Sequence, residues 1–370
     1  MKIIYIHSGR LPSKAANCVH VTKMCQALVQ SGADVTLVVP DVAGRKKTVE
    51  EILDYYGITS STFKIKRISS PVSKGTLPFF LCGLFFFLLK KRDHHIYGRS
   101  IFGCHLAALL GFKTVWESHA PVWDMGKFQT RVFSRLLRSR HFLKLVVISG
   151  ELKKLYLPWL ESDKIEVLHD AAIPSEQSEF PQLTDLEKPV IGYVGGLYEG
   201  KGVSVILKMA AGLPNMNFVI FGGSEEQISS WQQKTESENV TFKGYVSQSD
   251  IEEAYEAFHI GLLPNQSVVH THSGSRLNIS SYTSPLKLFE YMSHKKLILC
   301  SDFPVLREVL DDETGYLLPW NDPTAWINAV KEIMAAPKLA LGKLQKAHQH
   351  FCGQYTWEQR ALHVLNLYKF

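Results

Sequence analysis

The segment SYTSPLKLFEYM, Ser281–Met292, holds residue types that are suited to binding an anion. Polar residues lead into Pro285, and an amphipathic helical pattern begins directly after it. The first backbone N–H groups of an α-helix have no partner within the helix, and the positive end of its dipole favours negative charge. The N–H groups of Ser284, Leu286 and Lys287 could therefore hold a phosphate or a sugar.

Glu290 is the one carboxylate in this segment, and it stands among apolar residues. In the first turns of a helix that faces a ligand, its two oxygens could accept both hydroxyls of a ribose, as acidic residues do in nucleotide sites. The alternative is a glutamate that reaches solvent beside a core stripe of Leu286, Phe289 and Met292. The residue types alone leave both interpretations open.

A second segment of the same kind is GYVGGLYEGKG, Gly192–Gly202. A predicted strand ends at Gly195 and Gly196, and a short loop carries Lys201 to the start of the next predicted helix. Glycines allow the backbone to approach a ligand closely, and both the helix N-terminus and the ammonium group favour an anion. A surface lysine beside an ordinary turn is the alternative.

The motifs disfavour several other classes of site. Gly9 is the single glycine after the first predicted strand, so the GxGxxG pattern of dinucleotide-binding enzymes is missing there, and no P-loop pattern occurs. Gly9 fits a close approach of phosphate or sugar to the backbone, and it equally fits a plain turn. No DxD motif occurs, and the adjacent pair Asp311 and Asp312 fits a solvated turn. Because His270 and His272 lie in a Ser-rich loop without further ligands nearby, we expect a site without metal.

The composition indicates a two-domain globular chain with an uneven charge. Its 370 residues exceed the usual length of one domain, and 45% are apolar. Residues 1–150 contain 22 Lys and Arg against 8 Asp and Glu, a net charge of +14, whereas the remainder carries −8. With no nucleic-acid-binding motif present, we expect anionic lipid or phosphorylated substrates as partners rather than nucleic acid. Six scattered cysteines and an N-terminus without a signal-peptide pattern indicate reduced thiols and a cytoplasmic location.

Two segments of the basic half have compositions that are compatible with contact with a membrane. LPFFLCGLFFFLL, Leu77–Leu89, is uncharged and is followed by two lysines and an arginine. It is shorter than the ~20 residues of a spanning helix, so we expect a buried core helix, with an interfacial helix as the alternative. The segment Arg131–Lys144 predicts a helix with Arg131, Arg135 and Arg138 on one face. Together the two segments suggest peripheral docking on the inner face of an anionic membrane.

The elements that would position these residues alternate between strand and helix. Short β-rich runs such as KIIYIHS, DVTLVVP and KLVVIS are separated by helical patterns, which predicts a parallel, doubly wound sheet. The polar segment 173–189, with three prolines, interrupts this series, and a second alternating series follows it. We therefore predict two α/β domains with a ligand site in the cleft between them, beyond the carboxyl ends of the strands.

The order of the motifs resembles one protein family over almost the whole chain. The runs VGGLYEGKG, FVIFGG, FKGYV, LLPN, SPLKLFEYM and TGYLLP resemble the donor domain of family-4 retaining glycosyltransferases with the GT-B fold. GRLPSKAANCVHVTKMCQALVQSGADVTLVVP, HIYGRS and VWESHAP resemble their acceptor domain. The resemblance implies an acceptor-binding domain, 1–180, and a donor-binding domain, 181–354, which face each other across a cleft. Residues 355–370 resemble the family's final helix, which crosses back to the first domain.

The resemblance also implies roles for individual residues. Lys201 matches the basic residue on the donor diphosphate, and Glu290 matches the second Glu of the family's Glu-x7-Glu motif, which binds the ribose. His119 matches the histidine that lines the sugar pocket, although an ordinary strand-end histidine is the simpler physical explanation. The other donor contacts that the resemblance implies are Gly9, Gly195, Gly196, Tyr245, Val246, Ser284, Pro285, Leu286 and Lys287.

The chain departs from the family pattern at two positions. Tyr282 stands where the first Glu of the motif is expected, and Gly196 stands where many relatives carry an arginine on the diphosphate. The second departure suggests that another cation replaces the arginine, with Lys287 and Arg276 as candidates. The candidates for acceptor or auxiliary contacts are Arg10, Arg99, Arg276 and Tyr282.

The activity that the resemblance implies is transfer of a sugar from a nucleoside-diphosphate sugar, with UDP-glucose as the first choice. The acceptor would be a glycan or a lipid-linked molecule in polysaccharide or glycoconjugate biosynthesis. The reaction would retain the anomeric configuration and would use neither a metal nor a cofactor besides the donor. The alternative is a non-catalytic nucleotide-sugar-binding or membrane-associated protein of the same fold, in which the missing Glu marks lost activity.

Overall fold

The computed structural model describes residues 1–42, 47–58, 63–70, 76–176, 179–247, 250–269 and 278–369. These residues form two compact units. The first unit comprises Met1–His169 together with Trp357–Phe370, and the second comprises Asp170–Thr356. No helix within the described ranges is both long enough and apolar enough to cross a membrane.

The first unit is built on a parallel sheet with seven strands among the described residues. The strands are β1 (Lys2–Ile6), β2 (Asp34–Val42), β3 (Lys64–Ser70), β4 (His95–Gly98), β5 (Thr114–Ser118), β6 (Phe142–Val147) and β7 (Ile165–Val167). The helices between them are α1 (Ala16–Gln30), α2 (Val49–Tyr55), α3 (Leu77–Leu89), α4 (Ile101–Leu109), α5 (Lys127–Leu137) and α6 (Gly150–Tyr156). Two short 3₁₀ helices, Val122–Met125 and Ser162–Lys164, complete the unit.

The strand order of this sheet is β3-β2-β1-β4-β5-β6-β7. Central strands such as β5 are buried along their whole length because helices cover both faces of the sheet. The chain changes direction between β1 and β4, and right-handed crossovers then place α3, α4 and α5 side by side on one face. In agreement, α3 packs on α4 and α4 packs on α5. The switch between β1 and β4 is where a doubly wound sheet binds ligands.

Helix α3 corrects one expectation from the sequence. Its limits, Leu77–Leu89, agree with the uncharged run, but burial is confined to one face, formed by Phe80, Leu84 and Leu88. Phe79 and Phe86 are 43% and 60% exposed. A uniformly apolar helix carries no periodic signal, so the sequence could not show that only one face packs on the sheet.

The second unit repeats the architecture with a six-stranded parallel sheet among its described residues. The strands are β8 (Ile191–Val194), β9 (Phe218–Phe221), β10 (Val240–Gly244), β11 (Ile260–Leu263), β12 (Leu297–Ser301) and β13 (Tyr316–Leu318). The helices are α7 (Leu183–Glu187), α8 (Val203–Gly212), α9 (Glu225–Gln232), α10 (Ile251–Glu256), α11 (Leu286–Ser293), α12 (Pro323–Ala335) and α13 (Pro337–Gln354). The strand order is β10-β9-β8-β11-β12-β13, so the switch point lies between β8 and β11. The two sheets confirm the predicted Rossmann-like, doubly wound fold class.

The chain returns to the first unit at its end. Helix α14 (Trp357–Asn366) packs on α1. Within the second unit the outgoing and returning segments are bonded to each other: the N–H of Ala172 donates to the carbonyl of Tyr355 at 3.1 Å, and Ala172 forms a parallel bridge with Thr356. The final helix is therefore part of the first unit, as the family resemblance implies.

Candidate functional site

The loop after β8 brings its glycines against a lysine of another element. Gly195 has φ of +151°, a value that favours glycine, and a β-carbon on it would lie 2.7 Å from Nζ of Lys287. Gly196 is held by its carbonyl, which accepts a hydrogen bond from the Tyr193 hydroxyl at 2.8 Å. The absence of a side chain at Gly195 leaves room for the Lys287 ammonium group beside the end of β8, whereas a β-carbon on Gly196 would meet the Tyr198 ring.

The Lys287 ammonium group is buried, although the residue as a whole is half-buried. It lies 3.9 Å from the centre of the Tyr193 ring, and no described residue forms a hydrogen bond with it. Burial lowers the pKa of Lys287 well below its ordinary value, and the nearby charge of Lys201 lowers it further. A buried ammonium group without a hydrogen-bonding partner is costly, and a bound anion would offset that cost.

Lys201 supplies a second ammonium group to the same place. It lies on the loop that leads from β8 into α8, and Nζ is 5.2 Å from the centre of the Tyr198 ring. Burial lowers the pKa of Lys201 to about 8. Lys201 and Lys287 therefore place two neighbouring basic groups at the switch point of the second sheet.

The N-terminus of helix α11 lies beside these two lysines. Pro285 is the N-cap, with φ of −79° and ψ of 122°, and no side chain of a described residue caps the first N–H groups. The Ser284 hydroxyl is already engaged, because it accepts a hydrogen bond from the N–H of Asp170 at 2.9 Å. The helix dipole therefore adds to the positive charge of Lys287, which is the second residue of the helix.

Glu290 balances part of this charge one turn further along α11. The Tyr255 hydroxyl donates to Oε2 of Glu290 at 2.5 Å, and the Glu290 charge raises the pKa of Lys287 against the two larger effects that lower it. Glu290 is half-buried, so it does not simply reach solvent beside the core stripe. One oxygen is positioned by a tyrosine, which helps to fix the orientation of the carboxylate.

The other predicted residues of the second unit lie in different surroundings. Tyr245 follows β10 and is 47% exposed, whereas Val246 packs against the apolar core on that side of the sheet. Tyr282 is 3% exposed, so the position of the missing Glu is filled by an aromatic side chain within the protein interior. Arg276 lies outside the described residues. Among the two candidates for the replacement cation, the structure therefore describes only Lys287, at the end of β8.

A polar cluster in the first unit surrounds Glu117, on β5. The Glu117 carboxylate accepts hydrogen bonds from His119 Nε2 and from the Tyr97 hydroxyl, and it lies 3.3 Å from Arg360 on α14 and 2.8 Å from His20 Nε2. Burial alone would raise the pKa of Glu117, but Arg360 and His20 outweigh it and hold the pKa well below its ordinary value. Glu117 is therefore a buried, ionised carboxylate with several donors.

The protonation state of His119 is set mainly by burial, and Glu117 acts against it by raising the pKa. Burial, together with the charge of Arg99, lowers the pKa of His119 to about 3, so the ring is neutral at pH 7. Because Nε2 donates to Glu117, the proton stays on Nε2 and Nδ1 is an acceptor. His119 can therefore accept a hydrogen bond from a hydroxyl group but cannot act as a cation.

The ends of β1 and β4 contribute the remaining predicted residues of the first unit. Gly9 faces His7, whose ring would collide with a β-carbon at that position. Burial and the charge of Arg99 lower the pKa of His7 to about 3. Arg99 follows β4, and Nη1 is buried without a hydrogen bond to any described residue. Arg10 is half-buried beside them, and its carbonyl accepts a hydrogen bond from Cys18.

The structure thus brings the predicted residues together in two separate groups. Lys201, Lys287 and Glu290 meet in the second unit, while Gly9, Arg99 and His119 lie in the first. Sequence reasoning missed Glu117, Tyr255 and Arg360, each of which positions one of these groups. A charged residue within the buried strand TVWES was the available signal for Glu117, since such a residue requires a partner.

Solved structures of other proteins share the fold of this chain, and a family sequence model matches part of it. Residues 174–349, just under half of the chain, match the sequence model of a family described as "Glycosyl transferases group 1". No curated protein sequence matches the chain. The family match covers the second unit and contains Lys201, Lys287 and Glu290.

Solved structures resemble the chain over its whole length. Sucrose-phosphate synthase from Thermosynechococcus elongatus has a TM-score of 0.72 at 18% identity and covers 100% of this chain and 98% of its own. Anabaena HepE in complex with UDP has a TM-score of 0.72 at 12% identity, with 99% of both chains covered. A variant of S. aureus TarM, solved with fondaparinux, α-GlcNAc-glycerol and UDP, has a TM-score of 0.73 at 12% identity and covers 100% of both chains. The chain therefore has the fold of GT-B glycosyltransferases.

Proposed function

We propose that this protein transfers a sugar from a nucleoside-diphosphate sugar to a glycan or a lipid-linked acceptor. The observation that carries the proposal is the pair of neighbouring lysines, Lys201 and Lys287, of which Lys287 has a buried ammonium group without a hydrogen bond to any described residue. The pair lies at the switch point of the second sheet, beside the N-terminus of α11. A diphosphate supplies the negative charge that this pocket lacks, and Glu290 is suited to the ribose next to it.

The proposed chemistry depends on stabilising the leaving group. As the glycosidic bond to the donor breaks, negative charge grows on the diphosphate, and the two ammonium groups and the dipole of α11 are aimed at that charge. We propose that the acceptor attacks on the same face from which the diphosphate departs and that the departing phosphate takes the acceptor's proton, which retains the configuration. On this scheme Lys201 and Lys287 neutralise the diphosphate in place of a metal ion, and no cofactor besides the donor is required.

We also propose roles for the residues of the first unit and a first donor to test. His119, as a neutral acceptor, would accept a hydrogen bond from a hydroxyl of the transferred sugar, and Gly9, Arg10 and Arg99 belong to the acceptor-binding domain. UDP-glucose is the first donor to test, since structures of Anabaena HepE contain UDP and UDP-glucose. We place the reaction on the cytoplasmic side of a membrane, in polysaccharide or glycoconjugate biosynthesis.

The test has two stages that separate binding from catalysis. A thermal-shift screen of UDP-, GDP- and ADP-sugars identifies the donor, because a ligand that binds only the folded protein raises its melting temperature. Donor turnover is then measured with and without candidate glycan and lipid-linked acceptors. Binding without turnover towards any acceptor would support a non-catalytic nucleotide-sugar-binding protein, and no response to any nucleotide sugar would contradict the proposal itself.

Replacing Glu290 tests the ribose contact. Charge-assisted hydrogen bonds contribute about 1.5–3 kcal/mol each, so Glu290→Ala should weaken donor binding by at least about tenfold. Glu290→Gln keeps an acceptor oxygen but loses the charge, and it should bind the donor with intermediate affinity. Calorimetric titration of donor into the purified variants gives these affinities. A Glu290→Ala protein with unchanged donor affinity and only a lower melting temperature would show that Glu290 has a structural role.

Donor binding should also depend on pH in a defined direction. The pKa of Lys201 is about 8 in the free protein, and a bound diphosphate raises it because the anion favours the ammonium form. Above pH 8 the free lysine is increasingly neutral, so binding requires proton uptake and the affinity falls as the pH rises. Titrations in two buffers that differ in ionisation enthalpy would measure the uptake. Lys201→Arg should lose the part that belongs to Lys201, while Lys287, whose pKa is lowered as well, keeps its own part. An affinity that is constant from pH 7 to about 9 would contradict this linkage.

A further inference from the structure

The first unit carries a second cationic site that is separate from the proposed donor site. A cavity of about 570 Å³ opens along one face of α5. We call it the α5 cavity. Its lining combines four cations with one aromatic and two hydroxyl side chains: Lys127, Arg131, Arg135, Arg138, Trp123, Thr130 and Ser134. The three arginines therefore share one face of the helix, as their spacing predicts.

The cations of the α5 cavity are not compensated by acidic groups. Lys127, Arg131, Arg135 and Arg138 are exposed, and none of them forms an ion pair with a described residue. Between residues 94 and 150 the sequence contains two acidic residues, Asp124 and Glu117, and Glu117 is buried against Arg360. A surface of this kind attracts anions over a distance of about 10 Å at moderate salt.

Exposed apolar side chains lie on the helices of the layer that contains α5. On α3 the exposed residues Phe79, Phe86 and Leu89 lie at positions i, i+7 and i+10, which share one helix face. Helix α4 packs between α3 and α5. Leu109 on α4 is 68% exposed, and Phe128 on α5 is 59% exposed. The helices α3, α4 and α5 contain no Asp or Glu. Exposed aromatic and leucine side chains beside uncompensated cations are typical of surfaces that insert into the headgroup region of a membrane.

We propose that the face formed by α3, α4 and α5 docks on an anionic phospholipid bilayer, with a lipid phosphate in the α5 cavity and the α3 phenylalanines among the acyl chains. The charge of the cavity selects the anionic headgroup, and the apolar residues distinguish a lipid surface from a nucleic acid or a soluble phosphate, which need cations alone. This surface adds a location to the proposed function but rests on other residues. Its failure would leave the donor site untouched, because vesicle binding is measured without donor.

The experiment is co-sedimentation of the full chain with vesicles of phosphatidylcholine alone or mixed with phosphatidylglycerol. We expect binding to the mixed vesicles that weakens with added salt, and little binding to phosphatidylcholine alone. Arg131→Glu/Arg135→Glu should reduce the binding at least about tenfold. The matched control is Lys208→Glu/Lys331→Glu, which changes the net charge equally at exposed lysines of the second unit and should bind as the unaltered protein does.

Substitution of the apolar residues decides between a bilayer and a soluble polyanion. Phe79→Ser/Phe86→Ser changes exposed side chains and should keep the melting temperature, yet it should weaken vesicle binding several-fold. Binding that does not respond to this variant but is abolished by inorganic phosphate or by duplex DNA would overturn the proposal in favour of a soluble anion or a nucleic acid. Equal binding of the Arg131→Glu/Arg135→Glu variant and the control would overturn it as well.

Discussion

Replacing Lys201 by alanine is expected to lower kcat for sugar transfer by about two to three orders of magnitude. The ammonium group stabilises charge that develops on the diphosphate as the donor breaks, and an interaction that is stronger in the transition state than in the bound donor acts on kcat more than on KM. Steady-state kinetics with the identified donor and acceptor measure both constants. Lys208→Ala, at an exposed lysine of α8, is the matched control and should leave both constants unchanged.

Lys287 provides the second arm of this experiment. Because Lys287 and Lys201 would share one diphosphate, Lys287→Met should also lower kcat, and the double variant should lose less than the product of the two single losses. Methionine fills the space of the lysine stem beneath the Tyr193 ring, so folding should persist. A Lys201→Ala enzyme with normal kcat and a raised KM would show that the lysine only binds the donor. Unchanged constants would contradict the assignment of the pocket.

Replacing Arg360 by methionine is expected to destabilise the first unit by about 3–5 kcal/mol, because the change leaves Glu117 as a buried carboxylate without its cation. The Arg360 guanidinium also donates to the carbonyls of Leu168 and His169, at 3.2 and 2.9 Å, and these acceptors would lose their partner too. Chemical denaturation followed by a probe in the first unit measures the free energy of unfolding. Glu358→Ala, at an exposed position of the same helix, should change it little.

Two further measurements distinguish charge from packing in the Arg360 variant. The double variant Glu117→Gln/Arg360→Met removes both charges and should recover a large part of the lost stability. Without the cation the pKa of Glu117 should rise above its ordinary value, so the deficit of Arg360→Met should shrink as the pH falls from 7 towards 5. An equal deficit at both pH values, unaffected by Glu117→Gln, would indicate lost packing alone.

The sequence predicted the sheets and the loops that carry Lys201 and Lys287 because their signals are local. A buried parallel strand reads as a short apolar run, and the loops at Gly195 and Pro285 each carry their own helix start. Strand β3, KIKRISS, escaped prediction because it is an edge strand in which the exposed Lys64 and Lys66 alternate with the partly buried Ile65 and Arg67. Helix α7 lies within the segment that was predicted to be a linker, and a capping box of Gln182 and Asp185 stabilises its start.

The residues that position the sites were beyond prediction for a different reason. Tyr255 reaches Glu290 across 35 positions of the chain, and Arg360 reaches Glu117 across 243. Such pairs depend on tertiary packing that no local pattern records. The role of Lys287 was open for the same reason, because only the fold shows that its stem crosses to Gly195.

The late position of Arg360 has a consequence for the order of biosynthesis. Glu117 leaves the ribosome 243 residues before the arginine that neutralises it, which at 5–20 residues per second is a delay of roughly 10–50 s. During that interval the strands of the first unit can assemble, but the Glu117 carboxylate on β5 has neither its guanidinium nor helix α14. The N-terminal unit of this protein can therefore be completed only after the C-terminal unit has been synthesised.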